Sequence, residues 1–120
     1  MIKASSIEKR FFPWTSKRFA ETLVDSINRL HWHHHELIGM SVIAKTQQDL
    51  MIGDVPCPLE FTLKASWREI GEGIEVVISV TEERNSWSIM ECKKRCKVLM
   101  EFLNAPLYAR QMPSDLALVR

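Results

Sequence analysis

The chain has 120 residues, 46% apolar and 26% charged, with a formal net charge of +1. That length suits one domain able to bury a core without staples, and the near balance of charge argues against a polybasic membrane anchor or a nucleic-acid binder working by bulk charge. No apolar run approaches the ~20 residues of a membrane span, Met1–Arg10 lacks the apolar core of a signal peptide, and the three cysteines are an odd, low count, so the chain reads as cytoplasmic with reduced thiols.

Residues 1–10 are polar and basic and read as a short N-terminal arm or a short edge strand. Phe11-Phe12-Pro13-Trp14 is an aromatic cluster that proline keeps out of a helix interior. Thr15 or Ser16 is placed to cap a helix, with Trp14 as its staple. Phe19, Leu23, Ile27 and Leu30 then step by helical intervals, which predicts a helix over residues 16–31 with Lys17, Arg18, Glu21, Asp25 and Arg29 on its wet side.

His31-Trp-His-His-His35 follows at the helix terminus. Leu37–Ala44 is almost continuously apolar and reads as one buried strand. Residues 47–54 fit a short strand or a loop, and Val55-Pro-Cys-Pro58 reads as a proline-punctuated connection. Leu59, Phe61, Leu63, Ala65 and Trp67 alternate with Glu60, Thr62, Lys64 and Ser66, which is the period of a half-buried strand. Ile74, Val76, Ile78 and Val80 share one face of a second such strand, and the glycines of Arg68–Gly73 join the two as a hairpin. Ile89, Cys92, Cys96, Leu99 and Leu103 form one stripe of a closing helix, with Ser86 or Ser88 available as its cap and Asn104-Ala-Pro106 ending it.

The layout is therefore an α+β fold, α-β-(β)-β-β-α: a three- to four-stranded antiparallel sheet with two helices packed on one face. It forms one domain over residues 1–105, followed at 106–120 by an apolar C-terminal extension that packs in cis or at an interface. Across residues 16–105 this layout resembles the two-layer α+β proteins of small uncharacterised bacterial families and, more distantly, a shortened helix-grip fold. The resemblance rests on layout, so it transfers no functional residue.

Three candidate sites emerge. His31 and His35, at i and i+4, would share a helix face and could grip a metal ion with Glu36 as an oxygen ligand. The alternative is a set of polar residues at a helix C-terminus, where imidazoles suit the dipole. Cys92 and Cys96 share the apolar stripe of the closing helix, as small core residues or as a thiol pair. Lys93-Lys94-Arg95 and Lys97 make a solvated helix face or meet phosphates. No glycine-rich phosphate loop, no Gly-x-Ser-x-Gly and no His-Glu-x-x-His occurs.

These features favour a non-enzymatic module, without cofactor, that works by association as a homodimer or with a protein partner. Membrane and nucleic-acid partners are not expected. The expected contacts are Met40, Val42, Leu107, Tyr108, Leu116 and Leu118, because the apolar 37–44 strand and the apolar extension need covering. The rival reading is a binder of a small apolar ligand held in a pocket between sheet and helices, near Trp67 and Met40. The third is the metal site at His31, His35 and Glu36.

Overall fold

The computed structural model describes residues 4–104. Among them the chain runs β1 (Ala4–Phe12), α1 (Ser16–Arg29), β2 (His33–Ile38), β3 (Ser41–Ile52), β4 (Val55–Ile70), β5 (Gly73–Glu82) and, after a single 3-10 turn at Ser86–Ser88, α2 (Ile89–Leu103). The five strands form one antiparallel sheet in the order β1-β5-β4-β3-β2. The class is the expected α+β, with five strands where the sequence predicts three or four. The expected extension over 106–120 lies outside the described residues.

The first extra strand is the N-terminal segment. β1 pairs with β5 along its whole length, from Ala4 opposite Glu82 to Phe12 opposite Ile74. Period two sends Ala4, Ser6, Glu8, Arg10 and Phe12 to the helix side and Ile7, Lys9 and Phe11 to the other. Three of those helix-side positions are polar, so the strand carries no apolar alternation. The ladder to β5 and the buried ends Ala4 and Phe12 hold it instead.

The second arises from Leu37–Ala44, which is not one strand. The chain turns at Gly39-Met40, with Gly39 at φ +58°, and returns as β3. A glycine in the left-handed region costs little there, whereas a side chain would be strained. Leu37 and Ile38 are consequently exposed, while Val42 and Ala44 are fully buried.

β3 and β4 run on past the rest of the sheet as a two-stranded ribbon turning at Gly53 (φ +63°). The expected connection Val55–Pro58 is part of β4. Pro56 and Pro58 are tolerated because β5 reaches only as far as Phe61, so their other edge is unpaired. The N–H of Glu60, in the same alternation, points to that edge and meets Glu82, so the prolines lack a donor only where no strand accepts one.

Both helices lie on the face presented by Leu59, Phe61, Leu63, Ala65 and Trp67 of β4 and Ile74, Val76, Ile78 and Val80 of β5, all buried. α1 starts as expected: the Thr15 hydroxyl accepts from the Arg18 N–H at 3.1 Å. It buries Phe19, Leu23, Ser26 and Ile27. Phe19 stands edge-on to Trp67 at 5.0 Å between ring centroids, and the Trp67 indole N–H donates to the Ser16 hydroxyl at 2.7 Å. α2 crosses β1 and β5 and buries Cys92, Cys96, Leu99, Met100 and Leu103. Its expected stripe is correct except at Ile89, which is exposed. Ser88 does not cap it: the hydroxyl donates to the Asn85 carbonyl at 2.7 Å.

The corner between β5 and α2 is organised by Glu82, which is fully buried. Its Oε2 accepts from the Glu60 N–H at 2.9 Å. Its Oε1 accepts from the Arg84 N–H at 3.0 Å and from the Asn85 N–H. One carboxylate thus fixes the end of the sheet and the turn that aims α2.

Candidate functional site

The end of α1 explains the histidine cluster. The Trp32 N–H donates to the Ile27 carbonyl at 3.0 Å, and the His31 N–H to the Asn28 carbonyl at 3.2 Å. His31 has φ +64°. This pairing is a Schellman motif with His31 in the left-handed position normally held by glycine. The motif turns Trp32 inward, where it is 6% exposed, and sends the next residues out into β2.

Helix α1 has therefore ended before His31, so the i and i+4 helical spacing of His31 and His35 is never formed. His35 and Glu36 lie on exposed edge strand β2, and the His33 and His34 rings sit 6.4 Å apart. Among the described residues no group of three or more His, Cys, Asp or Glu side chains could hold a metal ion. Of the expected contacts, Met40 is exposed at the β2–β3 turn and its carbonyl accepts from the Trp67 N–H at 3.1 Å. Val42 is fully buried in the core. Leu107, Tyr108, Leu116 and Leu118 lie outside the described residues.

The cysteines are core residues. The Cys92 thiol donates to the Ala4 carbonyl and the Cys96 thiol to the Ile78 carbonyl, each at 3.6 Å. Burial pushes the Cys92 thiol up, and it pushes Cys96, which also faces the Glu8 carboxylate, up to about 12. Both stay protonated near neutrality and are poor nucleophiles.

Among the described residues the inward face of β4 and β5 is buried. The opening lies at the rim. Between the end of α1, the far half of β3 and α2 is a cleft of about 260 Å³, lined by Leu30, Trp32, Thr46, Gln48, Lys94, Arg95 and Val98. Trp32 and Thr46 are its buried floor, and the Thr46 hydroxyl donates to the His31 carbonyl at 3.3 Å. Other clefts are larger, at about 430 Å³ beside Asp49, Glu60 and Arg84 and about 380 Å³ beside His33, Lys45 and Glu60. They sit on the face and ribbon of the sheet among side chains of both signs, without a buried aromatic floor. The smaller one is where three elements converge.

Arg95 is the most constrained group in that cleft. Its guanidinium lies 4.0 Å over the Phe61 ring. Nη1 donates to the Glu91 carboxylate at 2.8 Å and to the Glu91 carbonyl at 3.1 Å, and Nη2 donates to Gln48 Oε1. Lys94 beside it is exposed. In the sequence both look like members of a solvated basic run. The available signal is position: Arg95 is one residue before Cys96 and four before Leu99, on the flank of the buried stripe, and four after Glu91. The lining supplies apolar contact, a hydroxyl, an amide and two cations. Among the described residues its lining holds no thiol, imidazole or carboxylate.

No family model matches the chain, and no curated relative matches it. Solved structures of similar fold include Mll3558 from Rhizobium loti, 13% identical, with a TM-score of 0.53 over 85% of this chain and 95% of that one. CalU16 from Micromonospora echinospora is 10% identical, with a TM-score of 0.52 over 94% of this chain and 79% of that one. These bacterial neighbours share the α+β layout. Among the described residues no helix is long and apolar enough to cross a membrane.

Proposed function

We propose that this domain binds a small apolar molecule in the rim cleft between α1, β3 and α2. The observation that carries the reading is the lining itself: Leu30, Trp32 and Val98 form an apolar wall, and Thr46 and Gln48 supply the few polar contacts that orient a ligand. At the ~30 Å³ a water molecule takes in the liquid, the cleft has room for about nine non-hydrogen atoms. 1-Octanol is a probe of that size. Ligand-observed NMR should detect saturable one-to-one binding, and Val98→Trp, which fills the cleft from its half-exposed rim, should abolish it. Octanol binding unchanged in Val98→Trp would place the ligand elsewhere, and no binding to either protein would reject the reading.

A second reading is self-association through the β2 edge. Among the described residues β2 has one unpaired side, and Leu37, Ile38 and Met40 are 48%, 65% and 42% exposed on it and its turn. An open edge with apolar side chains is a template for another strand. Light scattering across a concentration series should then give a dimer mass that Ile38→Lys returns to a monomer. A monomer at every concentration removes this reading.

A further inference from the structure

We propose that the molecule bound in the rim cleft is an amphipathic anion, an acyl chain or small ring bearing a carboxylate or phosphate, with Arg95 and Lys94 reading the head group. This inference rests on the rim cleft being a binding site and adds the chemical class of what enters it.

The first observation is charge. Among the described residues Lys94 and Arg95 are the only ionisable side chains lining this cleft, and both are cationic. The clefts on the sheet and along α1 are different. Glu60 and Asp49 accompany Arg84 in one, Glu60 accompanies Lys45 in another, and Glu21 and Asp25 line a third. Small neutral ligands need no such segregation, whereas an anion entering an apolar cleft needs its charge compensated there.

The second observation is how Arg95 is held. A guanidinium has five N–H donors in a rigid fork. Three of them are used by Glu91 and Gln48. Among the described residues the Nε–H and one Nη2 hydrogen remain, on neighbouring nitrogens. A carboxylate or phosphate is gripped by two parallel bonds from such an edge. Stacking on Phe61 and the bonds to Glu91 order the side chain before any ligand arrives, which lowers the entropy lost on binding. Glu91 offsets part of the charge of Arg95, so the net attraction comes from the pair of cations. Lys94 takes part in none of the ion pairs among the described residues.

The third observation is the opposite wall. Leu30 and Val98 are partly open, and Trp32 closes the floor. An anion with no apolar part would leave that wall wet, so inorganic phosphate alone should be a poor ligand.

The test uses the full chain and four probes in calorimetric titration: octanoate, 1-octanol, octylammonium and inorganic phosphate. Octanoate should bind at least about tenfold more tightly than octanol, and octylammonium and phosphate should be weaker than octanol. Lys94→Gln, at an exposed position, should weaken octanoate several-fold, and by more than it weakens octanol. Arg95→Lys keeps the charge and loses the fork, and it should weaken octanoate about tenfold. Because Arg95 also packs on Phe61, its variant is read beside a circular dichroism melt, and Lys94→Gln decides the case if the melt collapses. Equal binding of octanoate and octanol would overturn the anion assignment while leaving the cleft as an apolar site. Phosphate binding as tightly as octanoate would overturn the amphipathic part. Binding of none of the four would remove both this inference and the reading beneath it.

Discussion

Glu82→Gln is expected to cost about 2 kcal/mol of folding stability, and Glu82→Ala about 3–5 kcal/mol. The buried carboxylate accepts from three backbone N–H groups, those of Glu60, Arg84 and Asn85. A buried donor left without a partner costs about 1–3 kcal/mol. Alanine abandons all three donors, although the exposed side of the turn lets water reach Arg84, which lowers the sum. Glutamine keeps one oxygen. Whichever way it is turned, its amide N–H₂ faces either the Glu60 N–H or the Arg84 and Asn85 pair, donor against donor. The change also removes the cost of burying a charge, which holds the figure near 2 kcal/mol rather than above it. Urea unfolding followed by tryptophan fluorescence measures the loss, and a midpoint lowered by about 3–5 °C per kcal/mol is the thermal equivalent. Glu75→Gln is the control, because its pairs with Lys9 at 3.6 Å and Arg68 at 3.0 Å involve largely exposed cations and are worth under about 1 kcal/mol. If Glu82→Gln lies within about 0.5 kcal/mol of the parent and of Glu75→Gln, Glu82 does not organise the corner.

Four further outcomes are expected. Gly73→Ala should destabilise by about 2 kcal/mol in the same urea assay, since a Cβ there would stand 2.4 Å from the Phe12 carbonyl oxygen and 2.5 Å from the Phe11 ring, and backbone cannot step aside. His31→Gly should stabilise by up to about 1 kcal/mol, because glycine relieves the +64° φ of the Schellman position; a loss of stability would mean that the imidazole itself makes a contact that matters. Iodoacetamide at pH 8.5 should label Cys57 alone in the native protein and all three thiols after denaturation, as counted by mass spectrometry. The raised thiol of Cys96 also sets a sign: its contribution to stability is fully present below the unfolded value of 9.0 and is lost as pH rises toward about 12, because only the unfolded chain gives up that proton. A stability that rises over that window would contradict the burial.

The parts of the fold legible in the sequence are those where one face is wet. β4 from Leu59 to Trp67 and β5 from Ile74 to Val80 alternate because their outer side chains meet water, and Phe19, Leu23 and Ile27 repeat because α1 is half exposed. β1 is legible only as one of two readings of residues 1–10, an arm or a short edge strand, because three of its helix-side residues are polar and its pairing with β5 leaves no alternation in hydropathy. Leu37–Ala44 misleads for the opposite reason: apolar residues on both arms of a hairpin read as one buried run, and the single glycine at its centre was the only break. Pro56 and Pro58 suggest a loop until the register shows that their donorless side faces no strand. The site was less legible still. The histidines drew attention by composition, yet His31 serves a backbone turn. Arg95 was masked by its basic neighbours although its place beside the buried stripe marked it.

The widths of sheet and helices bear on the proposed rim cleft. Five strands about 4.8 Å apart make a sheet about 19 Å across. Two helices of about 10 Å diameter laid side by side cover the same width. Among the described residues the inward side chains from Leu59 to Val80 are buried in one cluster with Phe19, Leu23, Cys96 and Leu99. The mismatch appears along the other axis. β3 and β4 outrun β5 by the length of their ribbon, and α1 stops at Arg29, turned aside by the Schellman motif. Gln48 on β3 and Arg95 on α2 therefore face each other beyond the end of α1, with Trp32 closing the space beneath. The same turn that strains His31 thus creates the cleft. A ligand there contacts the ends of three elements and requires none of the core to open.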